Sequence, residues 1–266
     1  MVKTTGKGKN TILRSIYWFL DHPPKTNPTP NKNCRLIIDA TWFGRNYCLL
    51  IYWDTDIQKV QLWRVASWER FEEISEDLGT LRTRGVILVS ATSDGGKGVK
   101  LALEEEYPNI PHQRCLVHLQ RLSLALITKN PRSHAGWEAR QMALFVSRIR
   151  TRDEKDKWIS YFENWCRRWE KFLKERTFSE DKKKWWYTHK SLRRLRGLIV
   201  NATPKLFYFL DDGKIRKDTN GLEGRFSSFK QHYRQHRGLS KKRREAYIAW
   251  YITVVINKEL PTRNGY

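Results

Sequence analysis

Three runs rich in β-branched and aromatic residues, Arg35 to Phe43, Arg45 to Trp53 and Val60 to Ala66, stand close together and are set apart by Gly44-Arg45 and Asp54-Thr55-Asp56. Runs of this kind bounded by turn residues predict a three-stranded antiparallel meander. Trp68, Phe71, Ile74, Leu78 and Leu81 then recur at helical spacing, which predicts a helix capped by Ser67 and ended by Gly85. Val86-Ile87-Leu88-Val89 is continuously apolar, as in a strand buried on both faces, and leads into Ser93-Asp94-Gly95-Gly96. A helix over Val99 to Tyr107, stopped by Pro108, a short strand at Gln113 to Val117 and an apolar helix from Leu116 to Ile127 complete the order β-β-β-α-β-α-β-α. That order predicts a mixed sheet covered by helices, with ligands expected off the C-terminal ends of its strands.

The texture changes on either side. Residues 1–33 are rich in Lys, Asn, Thr and Pro and read as an arm and linker, with a short helix at Ile12 to Asp21. From 130 to 213 the chain is helical, charged and rich in Trp. Trp158, Phe162, Trp165, Trp169 and Phe172 follow steps of 4, 3, 4 and 3, one stripe of an amphipathic helix. An aromatic core between helices explains that stripe better than a base-stacking platform. Its basic flank, Lys182 to Lys184 with Lys190, Arg193, Arg194 and Arg196, reads either as a solvated face or as a phosphate-contact strip, and the interleaved Trp185-Trp186-Tyr187 favours the strip. Residues 214–258 predict two helices joined near His236 to Ser240, the first carrying an apolar stripe of Leu222, Phe226, Phe229 and Tyr233, and 259–266 form a tail.

Composition narrows the partner. Across 266 residues, 51 Lys and Arg oppose 28 Asp and Glu, a net charge of +23. A field of this size attracts polyanions, nucleic acid first and an anionic membrane second. The apolar fraction of 39%, with 12 Trp, 11 Tyr and 11 Phe, supports a true core. The longest apolar stretch, Tyr247 to Ile256, falls short of the roughly 18 residues that span a bilayer, and no secretion signal is read. Four scattered cysteines suit a reducing cytosol. The charge is densest between Lys214 and Arg244, with 11 Lys or Arg against Asp218 and Glu223. Lys230, Arg234, His236, Arg237, Arg243 and Arg244 are the candidates for phosphate contacts that position a duplex without reading it.

Three acids sit where acids are costly. Asp39 interrupts Leu36-Ile37-Ile38-Asp39-Ala40 and needs a metal or a cation such as an Arg. Asp94 ends the buried strand, as a site residue or a turn former, and Glu223 opens a helix beside Asn220 and Gly224, where the helix dipole alone would favour it. Cys115 and His118, with His112 nearby, are too few for a zinc signal, so no zinc is expected. Gly95-Gly96-Lys97-Gly98 and Gly6-Lys7-Gly8-Lys9 miss the phosphate-loop pattern, so no nucleotide cofactor is expected either.

Ile38-Asp39-Ala40-Thr41-Trp42, Ser93-Asp94-Gly95, Cys115-Leu116-Val117-His118 and Thr219-Asn220-Gly221-Leu222-Glu223-Gly224 together resemble the motif series of DDE transposases, in particular the bacterial insertion-sequence group related to Mutator-like elements. The resemblance runs from about Arg35 through Arg244. It implies an α/β, RNase H-like mixed sheet, an antiparallel meander extended by parallel strands with helices on both faces, in two parts, 34–129 and 214–258, with an all-α insertion at 130–213. It implies that Asp39, Asp94 and Glu223 are catalytic and hold two Mg²⁺ ions, for which Mn²⁺ can substitute, because hard cations prefer carboxylate oxygen. The reaction implied is strand cleavage at element ends and strand transfer into target DNA. Cys115, His118 and Asn220 become auxiliary. Double-stranded DNA becomes the partner, with a homo-oligomer on DNA and a cytoplasmic, nucleoid-associated location. The family's usual N-terminal DNA-binding module is not matched in the roughly 34 residues before the first strand. The alternative is therefore a truncated or domesticated remnant that only binds DNA.

Overall fold

The computed structural model describes the chain except residues 1–3, 5, 26, 44–46, 235–237 and 260–266 and the side chains of Glu223 and Phe226. The turn read at Gly44-Arg45 thus lies outside the described residues. The chain forms two compact units, Met1–Leu88 with Gly221–Tyr266, and Val89–Asn220.

The first unit contains the meander: β1 (Asn31–Trp42), β2 (Cys48–Asp54) and β3 (Lys59–Ala66), antiparallel throughout. The central strand β2 is buried along all seven residues. Asp54, fully buried at its end, closes the β2–β3 turn: its carboxylate accepts from the Asp56 backbone at 2.9 Å, Asn31 Nδ2 at 2.8 Å and Gln61 Nε2 at 3.0 Å. These bonds explain why strand β1 begins at Asn31, four residues ahead of the apolar run.

The pleat sends alternate residues to opposite faces. Ile37, Leu49, Ile51 and Trp53 form one face and pack against Leu222 and Phe229 of one helix (Asn220–Arg234) and Ile248 of another (Lys241–Trp250), which continues as a π-helical turn over Tyr251–Ile256. The opposite face meets the helix Phe71–Thr83. There Asp77, 3% exposed, accepts from Tyr52 Oη at 2.9 Å and from Arg64 Nε at 2.9 Å and Nη2 at 2.6 Å. An N-terminal helix, Lys9–Asp21, docks through the Asp21–Arg243 pair and Trp250 Nε1 on the Phe19 carbonyl.

In chain order the helices are α1 (Lys9–Asp21), α2 (Phe71–Thr83), α3 (Lys97–Glu106), α4 (Leu116–Ala125), α5 (His134–Phe145), α6 (Arg152–Arg168), α7 (Glu170–Lys174), α8 (Lys190–Ala202), α9 (Asn220–Arg234) and α10 (Lys241–Trp250). β4 (Val86–Ser93) and β5 (His112–Arg114) pair in parallel and extend the sheet to the order β3-β2-β1-β4-β5. The fold is thus the mixed α/β sheet expected from the sequence.

Three local expectations change. The cap of α2 is not Ser67: the helix starts at Phe71 after Arg70, without a side-chain cap, and Trp68 stays 55% exposed, edge-on to Trp42. β4 is not buried on both faces at its start, because Ile87 is 42% exposed while Val86 and Leu88 are buried. Only from Ser90 to Ser93 is every residue buried. Within the otherwise helical stretch, Arg176–Phe178 (β6) and Trp185–Tyr187 (β7) pair as a hairpin.

The second unit is built around the tryptophan stripe. Trp158, Phe162 and Trp165 of α6 are buried with Ala135, Ala139 and Met142 of α5 and Leu195 and Ile199 of α8. The indole N–H groups are satisfied: Trp158 on the Met142 carbonyl at 3.1 Å and Trp165 on the Ala135 carbonyl at 2.9 Å. α6 starts with a Thr151–Glu154 capping box and stops at Arg168, so Trp169 ends the helix and Phe172 belongs to α7.

Replacing Asp77 by Ala would leave Arg64 and the Tyr52 hydroxyl without their shared acceptor in a buried setting. With Arg64 part-exposed, a destabilisation of about 2–4 kcal/mol is expected. Urea denaturation of Asp77→Ala against the parent measures it.

Candidate active site

Asp39 lies in the middle of β1, 7% exposed, opposite Ile51 of β2. Directly opposed residues point to the same face, so Asp39 shares the face that Leu222 and Phe229 of α9 cover. Glu223 follows Leu222 in α9, and its side chain lies outside the described residues.

Asp94 stands one residue beyond the C-terminal end of β4, on a turn built by its neighbours. Gly95 takes φ +82°, and the backbone N–H groups of Gly95 and Gly96 donate to Ser93 Oγ at 3.1 Å and Asp94 Oδ1 at 2.8 Å. A Cβ on Gly95 would come within 2.7 Å of Arg114 Nε. The turn therefore needs glycine twice, for its left-handed backbone and for the guanidinium packed on it. Arg114 Nε is buried with no hydrogen-bond partner among the described residues, burial holds the guanidinium below its usual pKa, and Asp94 is the first of the charges that oppose this. Composition and motif spacing gave no notice of Arg114; its position at the end of a short strand paired with β4 was the available signal.

The Cys-x-x-His segment is a tether. Cys115 is fully buried, caps α4 by accepting from the His118 backbone N–H at 3.5 Å, and contacts Thr219 Oγ1 at 3.8 Å. Burial raises its thiol pKa, which suits a neutral packing and hydrogen-bonding role. His118 Nδ1 lies 3.5 Å from the same Thr219 hydroxyl. The segment before Thr219 is held as well: Thr92 Oγ1 donates to the Arg216 carbonyl at 2.9 Å, and Leu116 N–H to the Lys217 carbonyl at 3.0 Å. Asn220 is exposed, and its N–H is bonded to Asp218 Oδ1 at 3.1 Å. The sequence brought Cys115, His118 and Asn220 together as auxiliary residues; Thr219, their common neighbour, was the residue it passed over.

His112 is a third element of this wall. It is 6% exposed, with Nε2 2.8 Å from Ser93 Oγ, and burial lowers its pKa to about 4. It is thus a neutral packing residue of β5. Among the described residues no group of three His, Cys, Asp or Glu side chains is arranged to hold a metal.

The cations proposed for phosphate divide. Arg243 is paired with Asp21 at 3.1 Å and lies over the Tyr17 ring. Lys230, Arg234 and Arg244 line a shared cleft. His236 and Arg237 lie outside the described residues. In the flank at 182–196, Arg193 stacks 3.5 Å over Tyr187 and Arg176 4.1 Å over Trp185, while Lys182–Lys184 are exposed.

The model of the transposase family named Mutator matches residues 56–196, more than half of the chain. The chain belongs to the Mutator family of transposases. No curated protein matches this family member. Among solved structures it is similar to the HTLV-2 integrase catalytic core domain in complex with magnesium, in its trimeric form, at 18% identity over 45% of this chain and 86% of that one, with a TM-score of 0.24. No helix among the described residues is long and apolar enough to cross a membrane.

Two outcomes follow for this Mutator-family chain. Ala at Gly95 must pay the left-handed backbone and displace Arg114, so Gly95→Ala is expected to lose about 1–3 kcal/mol of stability, read as a lowered midpoint in thermal unfolding. The His112 pKa lies below its unfolded value, so the unfolded chain takes up a proton that the folded chain refuses between about pH 6.5 and 4. Stability should fall across that window as pH drops, by up to about 3 kcal/mol from this group. His112→Gln should flatten that part of the profile in denaturation titrations at stepped pH.

Proposed function

We infer that this chain is a DNA transposase that cleaves a strand at an element end and joins the freed 3′-hydroxyl to target DNA, with Asp39, Asp94 and Glu223 as its catalytic carboxylates. One observation carries the reading: the three acids sit on the elements such a site needs. Asp39 is in β1, Asp94 directly follows β4, the next strand in the sheet order, and Glu223 belongs to α9, which covers the face that Asp39 shares. The family match supports DNA as substrate.

Three carboxylates are a fitting donor set for two Mg²⁺ or Mn²⁺ ions, which leave coordination positions open for water and phosphate. Divalent cations supply Lewis acidity and an activated oxygen nucleophile for in-line phosphoryl displacement. The chain supplies the rest. The Gly95–Gly96 turn fixes one Asp94 oxygen on a backbone N–H and leaves the carboxylate's remaining lone pairs for ligation. Arg114 keeps positive charge beside Asp94. Cys115 and His118 hold Thr219 at the entry to the glutamate helix, and His118, so tied, helps place the DNA near the scissile phosphate, with Asn220 next to it. Lys230, Arg234 and Arg244 take phosphates. In this reading 34–129 and 214–258 form one catalytic core, 130–213 is an insertion, and the enzyme works on double-stranded DNA as a homo-oligomer at the nucleoid.

Labelled duplexes carrying the flanks of the coding region, incubated with Mg²⁺ or Mn²⁺, decide the matter. The parent should give nicked and joined products, and Asp94→Ala should give neither while still binding. Equal cleavage by both proteins removes the catalytic assignment; binding without cleavage by the parent leaves only a DNA-binding protein. Affinity should fall steeply with added salt.

A further inference from the structure

Beyond the end of β1, within the first unit, lies a cleft of about 490 Å³, of which the catalytic reading uses only the cations and leaves the aromatic residues unassigned. Its volume falls in the range of roughly 300–1,000 Å³ typical of small-ligand sites. One wall is aromatic. Phe43 lies 4.6 Å from Tyr233 and 5.9 Å from Tyr47 between ring centroids, and Trp42 stands beside them, edge-on to Trp68. The other wall is cationic, formed by Lys230, Arg234 and Arg244. Lys230 Nζ sits 5.9 Å from the Phe43 ring centre, and Arg244 is steadied through Nε on the Leu239 carbonyl at 2.8 Å. Tyr47 also lines the cleft, and its hydroxyl is buried with no hydrogen-bond partner among the described residues. Burial first, then Tyr233 and Glu245, raise its pKa, so it stays a protonated hydroxyl able to donate.

An aromatic wall, a cationic wall and an orphaned hydroxyl match the three parts of a nucleotide: a flat base with a π face, a phosphate, and polar base edges. Paired bases inside a duplex present none of their faces, so only an unstacked nucleotide can use all three. Phe43, on the same side of the pleat as Asp39, lies four residues beyond it, roughly 13 Å at the rise of a β-strand, within reach of the same DNA strand. The geometry points to a receptor for one unpaired nucleotide of the DNA, its base against Phe43 and Tyr233 and its phosphate on Lys230, Arg234 and Arg244. This rests on the transposase reading and adds to it a preference for distorted or unpaired DNA beside the cut.

The test is equilibrium binding of the full chain, in EDTA so that no cleavage contributes, to two labelled duplexes that differ only in a single unpaired 2-aminopurine nucleotide. The parent should bind the duplex with the unpaired nucleotide roughly tenfold tighter and quench its fluorescence. Tyr233→Leu should erase that preference while leaving affinity for the paired duplex, and Tyr47→Phe, which removes only a hydroxyl, should lower it about threefold. Lys230→Gln should weaken both duplexes alike. Free dAMP at millimolar concentration should compete only for the preference. Equal affinity of the parent for both duplexes overturns the receptor and leaves the transposase reading standing. A preference that survives both tyrosine substitutions overturns it as well. Binding of dAMP tighter than of the unpaired DNA reassigns the cleft to free nucleotides, and failure to bind either duplex overturns both readings together.

Discussion

The return of the chain to the end of β4 is the constraint on which the site depends. Thr92 and Arg216 are 124 residues apart in sequence, and Cys115 and Thr219 104 apart, yet each pair is joined by a side-chain contact. Closing so long a loop costs chain entropy that no single hydrogen bond offsets. It is offset by the helical core that fills the loop, in which the α6 tryptophans pack against α5 and α8 with their N–H groups satisfied. The helical stretch is thus more than decoration: its packing accompanies the return of Arg216 to Thr219 to the end of β4, and α9 starts at the next residue. Thr219, fully buried between a thiol and an imidazole, is the hinge pin of that arrangement.

The acids differ in their settings. Asp54 and Asp77 are buried carboxylates whose lone pairs go to amide, hydroxyl and guanidinium donors of their own strands and helices, so they serve the fold. Asp94 uses one backbone N–H and faces a buried Arg, and Asp39 directly follows the apolar run Leu36-Ile37-Ile38 in β1. On a chain of net charge +23 these acids are local concentrations of negative charge in a strongly positive molecule, and under the proposed function they are where a divalent cation would be held.

Much of this was legible from residue order. The meander was readable because β-branched runs and the Asp54-Thr55-Asp56 turn are local signals, and the tryptophan stripe because its spacing is that of a helix face. The places of Asp39 inside β1 and of Asp94 just past β4 were readable because the apolar runs before them and the two glycines after Asp94 are local signals. Other features depend on partners distant in sequence. The N-cap of α2 is Arg70 rather than Ser67, with no side-chain cap bond, although Ser67 is the more favourable cap residue. The β6–β7 hairpin escaped notice because three-residue strands among lysines carry no periodicity. Cys115 entered as an auxiliary residue; that its sulfur caps α4 and touches Thr219 could be learned only once the long loop was closed.

The central proposal is spatial: that Asp39, Asp94 and Glu223, far apart in sequence, hold the same metal pair. A crystal structure of the chain soaked in Mn²⁺, with data collected at the manganese absorption edge, tests it most directly. Anomalous density bridging oxygens of all three carboxylates is the expected result. Manganese bound without Glu223, or that carboxylate directed away from Asp39 and Asp94 in the metal-bound crystal, would contradict it.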